Sequence, residues 1–270
     1  MTSVPHFFRL SAALAFAAMV TSAAVAPARA ETAAETAKPE CVAPTELTRL
    51  QNPLKRVSRQ LAGGHAIRVV AIGSSSTAGA GASSPAMTYP SRLEAELRAM
   101  YPRADITVLN RGVNGEESRD MLARFDRDVI SQNPDLVLWQ VGSNSVLRDR
   151  PLADSNVPLH EGLKRLREAG IDVVLINPQY APKVITKHDV DSMVDLIDAM
   201  AKESNVDLFQ RYAVMRYWRL TEDIPFSAFV SPDELHMNDW SYGCIAKLLA
   251  HAIQEAATRS AVTATAGTGR

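Results

Sequence analysis

The chain has 270 residues, of which 46% are hydrophobic and 22% charged, with a formal net charge of -1. This supplies enough apolar side chain for a core and excludes disorder as the main state, while 13 Gly and 15 Pro exclude a collagen-like or low-complexity chain. With 29 basic against 30 acidic residues there is no dominant basic face for a nucleic-acid partner, and two cysteines cannot build a disulfide scaffold or a multi-cysteine zinc site.

Residues 1–30 read as a signal peptide. Arg9 precedes an apolar run from Leu10 to Ala26, and Ala28-Arg29-Ala30 satisfies the small-x-small rule, so that Glu31 starts the mature chain. The run is Ala-rich and shorter than a typical bilayer span, which favours cleavage over a retained anchor. The expected location is the periplasm or the medium, without stable membrane insertion after cleavage. Residues 31–44 read as a flexible lead-in and 45–257 as one domain.

Leu47, Leu50, Leu54, Val57 and Leu61 recur at helical spacing, and Gly63-Gly64 stops that helix. Five apolar, largely β-branched runs come next: Ile67 to Ile72, Asp105 to Leu109, Leu136 to Val141, Ile171 to Ile176 and Val206 to Phe209. Helical patterns separate them at Pro90 to Met100, Ser118 to Gln132, Glu161 to Ala169 and Asp189 to Lys202. A last amphipathic helix runs from Asp239 to Ala257, and 258–270 reads as a disordered tail. Alternating buried strands and helices predict a parallel sheet covered on both faces, a three-layer α/β/α domain. In such sheets the ligand site lies beyond the carboxyl ends of the strands.

The segments at the strand ends are polar: Gly73-Ser74-Ser75-Ser76-Thr77-Ala78-Gly79, Asn110-Arg111-Gly112-Val113-Asn114-Gly115, Gly142-Ser143-Asn144-Ser145, Asn177-Pro178-Gln179-Tyr180 and, near the C-terminus, Asp233-Glu234-Leu235-His236. Acyl chemistry needs a hydroxyl, an imidazole to take its proton, an acid to orient the imidazole, and donors for the oxyanion. Ser75 supplies the hydroxyl at a strand-to-helix turn. Among the histidines beyond the signal peptide, His65, His160, His188 and His251 sit at the wrong edge, at helix starts or inside a helix. His236 lies in a loop three residues after Asp233, a spacing that one helical turn would bring to one side. Helix capping by Ser74 to Ser76 and turn roles for Gly112 and Asn144 are the plainer alternatives, and the four segments together favour the catalytic one.

The combination resembles the SGNH hydrolases, the GDSL esterase/lipase family, over about Ile67 to Ala252. The resemblance implies Ser75 as nucleophile, Asp233 and His236 as acid and base, and an oxyanion hole from the amides of Ser75 and Gly112 and the side chain of Asn144. It also implies a flavodoxin-like five-stranded sheet of order 2-1-3-4-5. Two positions depart from the family pattern: its usual Asp residues are Ser74 and Ser145 here. The expected activity is hydrolysis of short-chain acyl esters, carbohydrate O-acetyl esters among them, with O-acyl transfer to an envelope glycan as an alternative on the same triad. Gln179 and Tyr180 are candidates for binding a small-molecule or glycan ester, or else form a structural loop. No cofactor or metal is expected. A non-catalytic domain binding a phosphate, flavin or glycan is the alternative of a different class. In an oxidising compartment Cys41 and Cys244 either pair or remain two thiols. The sequence carries no signal for oligomeric state.

Overall fold

The computed structural model describes residues 1–2 and 39–267, with side chains through 259. The chain divides into Met1–Ala37 and Lys38–Arg270, and the second unit holds the sheet. The expected signal peptide and most of the expected lead-in lie outside the described residues.

The main unit is a five-stranded parallel sheet of β1 (Ile67–Gly73), β2 (Ile106–Gly112), β3 (Leu136–Gln140), β4 (Asp172–Ile176) and β5 (Asp207–Phe209). The strand order is β2-β1-β3-β4-β5, as expected. Every residue of β3 is buried, because helices cover both faces of the central strand. On one face α1 (Lys55–Gly63), α3 (Tyr89–Met100) and the last helix, α9 (Asp239–Gly267), pack together. On the other lie α4 (Ser118–Ala123), α6 (Leu152–Glu168) and α7 (Val190–Ser204). The helix α6 crosses the Trp139 indole at Gly162, where a Cβ would stand 2.4 Å from the ring. Phe125 packs on the same indole at 4.7 Å between ring centroids.

The helices depart from the sequence expectation in identifiable ways. The stripe from Leu47 to Leu61 is two elements, Thr45–Thr48 and α1, because Pro53 lies between them and the Asn52 amide turns out to Asp207 Oδ1 at 2.9 Å. The pattern from Ser118 to Gln132 breaks at Arg124 (φ -112°, ψ 10°), giving α4, Phe125–Asp128 and a 3-10 turn. The guanidinium of Arg124 there binds Glu116, Asp128 and the Arg111 carbonyl. The helix expected from Glu161 begins at Leu152 and contains Pro158, whose missing N–H does not end it. The helix α8 (Arg211–Leu220) has no counterpart in the sequence expectation; Tyr212, Met215 and Trp218, buried at a spacing of three, are its signal. The backbone of α9 continues past Ala257 through much of the stretch read as a tail, where Ala favours helix.

The end of the lead-in is tied down rather than loose. Trp240 Nε1 donates to the Pro39 carbonyl at 2.9 Å and Trp218 Nε1 to the Val42 carbonyl at 2.8 Å. A disulfide joins Cys41 to Cys244 on α9.

Candidate active site

All the polar strand-end loops meet at the carboxyl edge of the sheet. Ser75 opens the single-turn helix α2 (Ser75–Ala78) directly after β1. The preceding residue, Ser74, donates both its N–H and its hydroxyl to Gln140 Oε1 at 2.9 Å. That pair of bonds fixes the sharp exit from β1 and leaves the Ser75 side chain at the sheet edge. Ser74 and Ser145, which stand where the resemblance would put Asp, are buried structural hydroxyls; Ser145 accepts from Ser155 at 3.1 Å.

Ser75 Oγ lies 2.8 Å from His236 Nε2, and His236 Nδ1 lies 2.5 Å from Asp233 Oδ2. A tight loop makes this pairing, not the helical turn expected. Val230 and Met237 form an antiparallel bridge, Ser231 N–H donates to the His236 carbonyl at 2.8 Å, and Glu234 takes a left-handed conformation (φ 60°) at the tip. Asp233 Oδ1 accepts the backbone amides of Leu235 at 3.0 Å and His236 at 2.9 Å. Burial alone would raise the Asp233 carboxyl, but the His236 ring and these two amides outweigh it and hold it down at about 2. It is a fixed anion facing the imidazole.

Asn144 sits in the five-residue helix α5 (Ser143–Leu147), after Gly142 turns the chain at φ 93°. Its Nδ2 donates to the Glu116 carbonyl at 2.9 Å, which holds the loop after β2 beside it. In that loop the expectation for Gly112 is corrected. The Gly112 N–H already donates to Asn110 Oδ1 at 2.9 Å and is not available to an oxyanion. Gly112 is needed for another reason: a Cβ there would stand 2.0 Å from the Ala78 amide nitrogen, so β2 could not pass the turn that carries Ser75. Three residues on, Gly115 is left-handed (φ 81°), and its amide, like that of Ser75, meets no protein acceptor among the described residues. Its position next to the carbonyl that Asn144 grips was not legible from the motif.

Gln179 does not face solvent. It is 1% exposed, and its Oε1 accepts from Ser143 Oγ at 2.8 Å, Arg211 Nη2 at 3.0 Å and Ser76 Oγ at 3.4 Å. Its reading as a substrate contact is replaced by that of a buried polar junction. Tyr180 is half-buried in an aromatic group, edge-on to Tyr212 at 5.2 Å and stacked on Phe226 at 5.9 Å. The buried partners Gln140 and Arg211 escape sequence reasoning, because a buried Gln or Arg has no sequence signature. Among the described residues no group of three His, Cys, Asp or Glu could hold a metal ion.

The model of the non-GDSL lipase-like family matches residues 40–259. An acetylxylan esterase from Geobacillus stearothermophilus is 36% identical over 94 residues, 31% of this chain and 43% of that protein. An arylesterase from Vibrio mimicus is 27% identical over 104 residues, 38% of this chain and 52% of that protein. The chain thus spans about half the length of the curated relatives it matches. Among solved structures, a two-domain esterase active on acetylated mannans aligns with TM-score 0.66 at 19% identity, covering 79% of this chain and 57% of that one. The Geobacillus acetylxylan esterase aligns with TM-score 0.56 at 22% identity, covering 69% and 94%. At these identities the structural matches establish a shared fold.

Proposed function

Because the chain belongs to the non-GDSL lipase-like family of SGNH-type hydrolases, we propose that it is a serine esterase that removes short acyl groups, acetyl above all, from carbohydrate esters. The observation that carries this reading is the unbroken hydrogen-bonded run Asp233–His236–Ser75, at 2.5 and 2.8 Å. His236 Nε2 takes the Ser75 proton as Oγ adds to the ester carbonyl, while Asp233 holds the ring and stabilises its charged form. The oxyanion forms against the Ser75 amide, the Asn144 side chain and, in place of Gly112, the Gly115 amide. His236 returns the proton to the sugar oxygen as the C–O bond breaks, leaving an acyl-Ser75. Water, deprotonated by His236, then attacks the acyl carbon and releases the carboxylic acid and free Ser75.

The short-chain preference rests on the surface around the site. Among the described residues of the unit that holds the sheet, the large exposed hydrophobics are Val113, Val157 and Leu220, too few to receive a long acyl chain. A carbohydrate alcohol is favoured by the acetylated xylan and mannan named for the relatives. Hydrolysis is favoured over transfer because those relatives are esterases. Export to the periplasm or medium is supported by Ala28-Arg29-Ala30 and by a disulfide that needs an oxidising compartment. A secreted form beginning at Glu31, read by mass spectrometry, is the expected check.

The catalytic reading is tested by intact mass after exposure to a fluorophosphonate, followed by a panel of acetyl and decanoyl esters. A single adduct that Ser75→Ala abolishes, with acetyl esters preferred, is expected. An unlabelled, folded wild type would overturn the nucleophile assignment, and a decanoyl preference the substrate class.

A further inference from the structure

The Gln179 side chain touches the immediate chain neighbours of Ser75, Asn144 and His236. Its Oε1 takes hydrogen bonds from Ser76, next to Ser75, and from Ser143, next to Asn144. Its Nε2 donates to the carbonyl of Leu235, next to His236, at 3.3 Å. Arg211, the first residue of α8, lies fully buried behind it and donates Nη2 to the same Oε1 and Nε to the Asn177 carbonyl, both at 3.0 Å. We propose that Gln179, oriented by Arg211, is the positioning residue that holds the nucleophile, oxyanion and acid–base loops in register. The catalytic roles of those loops rest on the esterase reading above; the mechanical role of Gln179 does not.

The physical case starts from what an arginine can do. A guanidinium has donors only, so it forces the acceptor end of the Gln179 amide to face it. That choice leaves the amide nitrogen aimed at Leu235. Without the arginine, the serine hydroxyls could rotate to serve either end of the amide, and the amide could turn over. Arg211 is also an expensive way to fill space. It meets neutral acceptors, has no carboxylate partner among the described residues, and leaves Nη1 with no partner. Burial lowers its pKa to about 10, which still keeps it charged at neutral pH. Burying a charge that has no carboxylate partner costs stability rather than adding to it. The cost is explained if the charge sets the amide, and the amide sets three loops that come from distant parts of the chain.

The test is Gln179→Met, which keeps the volume and deletes both polar ends. Its readouts are thermal melting, kcat per fluorophosphonate-titrated serine, KM, and the downfield proton signal of His236 Nδ1–H. A folded variant should show kcat lower by about tenfold to a hundredfold, with KM little changed and the His236 signal broadened by exchange. Arg211→Met should behave the same way, and Arg211→Lys should recover part of the loss. A variant with a lower melting temperature but wild-type kcat and His236 signal would overturn the proposal. If Gln179→Met does not fold, Gln179→Glu decides. It keeps the acceptor for Arg211 and loses the donor to Leu235, so an unchanged His236 signal there would overturn the role. A wild type that is neither labelled nor active, yet whose His236 signal responds to Gln179→Met, would reject the esterase reading and keep the positioning role.

Discussion

Asp233 uses both carboxylate oxygens, one on its own loop and one on the imidazole, so a single residue shapes the loop and orients the base. Its folded-state pKa, about 2, lies below the ordinary 3.8. A depressed carboxyl contributes stability that is present above the unfolded value and lost as pH falls through the folded one. The stability difference between wild type and Asp233→Asn should therefore be full at neutral pH and shrink between about pH 4 and pH 2, measured by denaturant titration at each pH. In the proposed mechanism Asn144→Ala removes one oxyanion donor and should lower kcat by about a hundredfold or more, with a small change in melting temperature. Unchanged turnover would remove Asn144 from the hole. Ser75, Asp233, His236 and Asn144 were legible as candidates because nucleophile, acid, base and donor types stood in the polar loops, and the structure brings Asp233, His236 and Ser75 into one hydrogen-bonded run. That the Gly112 amide is already engaged was not legible, because this depends on where the Asn110 side chain turns.

At the scale of elements, two close approaches position the site and the core. A Cβ on Gly112 would meet the Ala78 backbone at 2.0 Å, and backbone cannot swing aside as a side chain can. Gly112→Ala should push α2 off β2, destabilise by about 1–3 kcal/mol and reduce fluorophosphonate labelling of Ser75 together with stability. Gly162→Ala gains helix propensity of about 1 kcal/mol but drives a methyl into the Trp139 ring. A net loss of melting temperature is expected; a gain would show that the indole has room to move. All five strands were legible, since a short β-branched run between helices has few other readings. The helices were less so. A break at Arg124, made by the bonds of its own guanidinium, and the continuation of α6 through Pro158 are tertiary decisions laid over a helical pattern.

At the scale of the molecule, the segment from Pro39 to Pro44 is held to the helical layer by two indole hydrogen bonds and the Cys41–Cys244 disulfide. The bridge closes a separation of 203 residues, for which the chain-entropy model gives at most about 5 kcal/mol. Thiol titration of the denatured, unreduced protein should find no free thiol. The Cys41→Ser/Cys244→Ser double variant should unfold at lower denaturant while keeping most of the proposed esterase activity, since the bridge is not among the contacts of Ser75, Asp233 or His236. Two titratable thiols would remove the bridge.

Read alone, the chain specified a parallel sheet covered on both faces and the sheet edge where the polar loops lie, because alternation of apolar runs with helices, right-handed crossovers and strand-end polarity are local or topological properties of the chain; the order of the strands came with the resemblance to the SGNH hydrolases. It also singled out the candidate nucleophile, acid and base, because acyl chemistry demands particular side chains. Only the tertiary structure decided which glycine amide stays open, that Gln179 faces inward to Ser143 and Arg211, and how Asp233 meets His236 around a left-handed Glu234. Each of these depends on groups far apart in the chain competing for one hydrogen bond or one small volume, and no local pattern encodes the outcome of that competition.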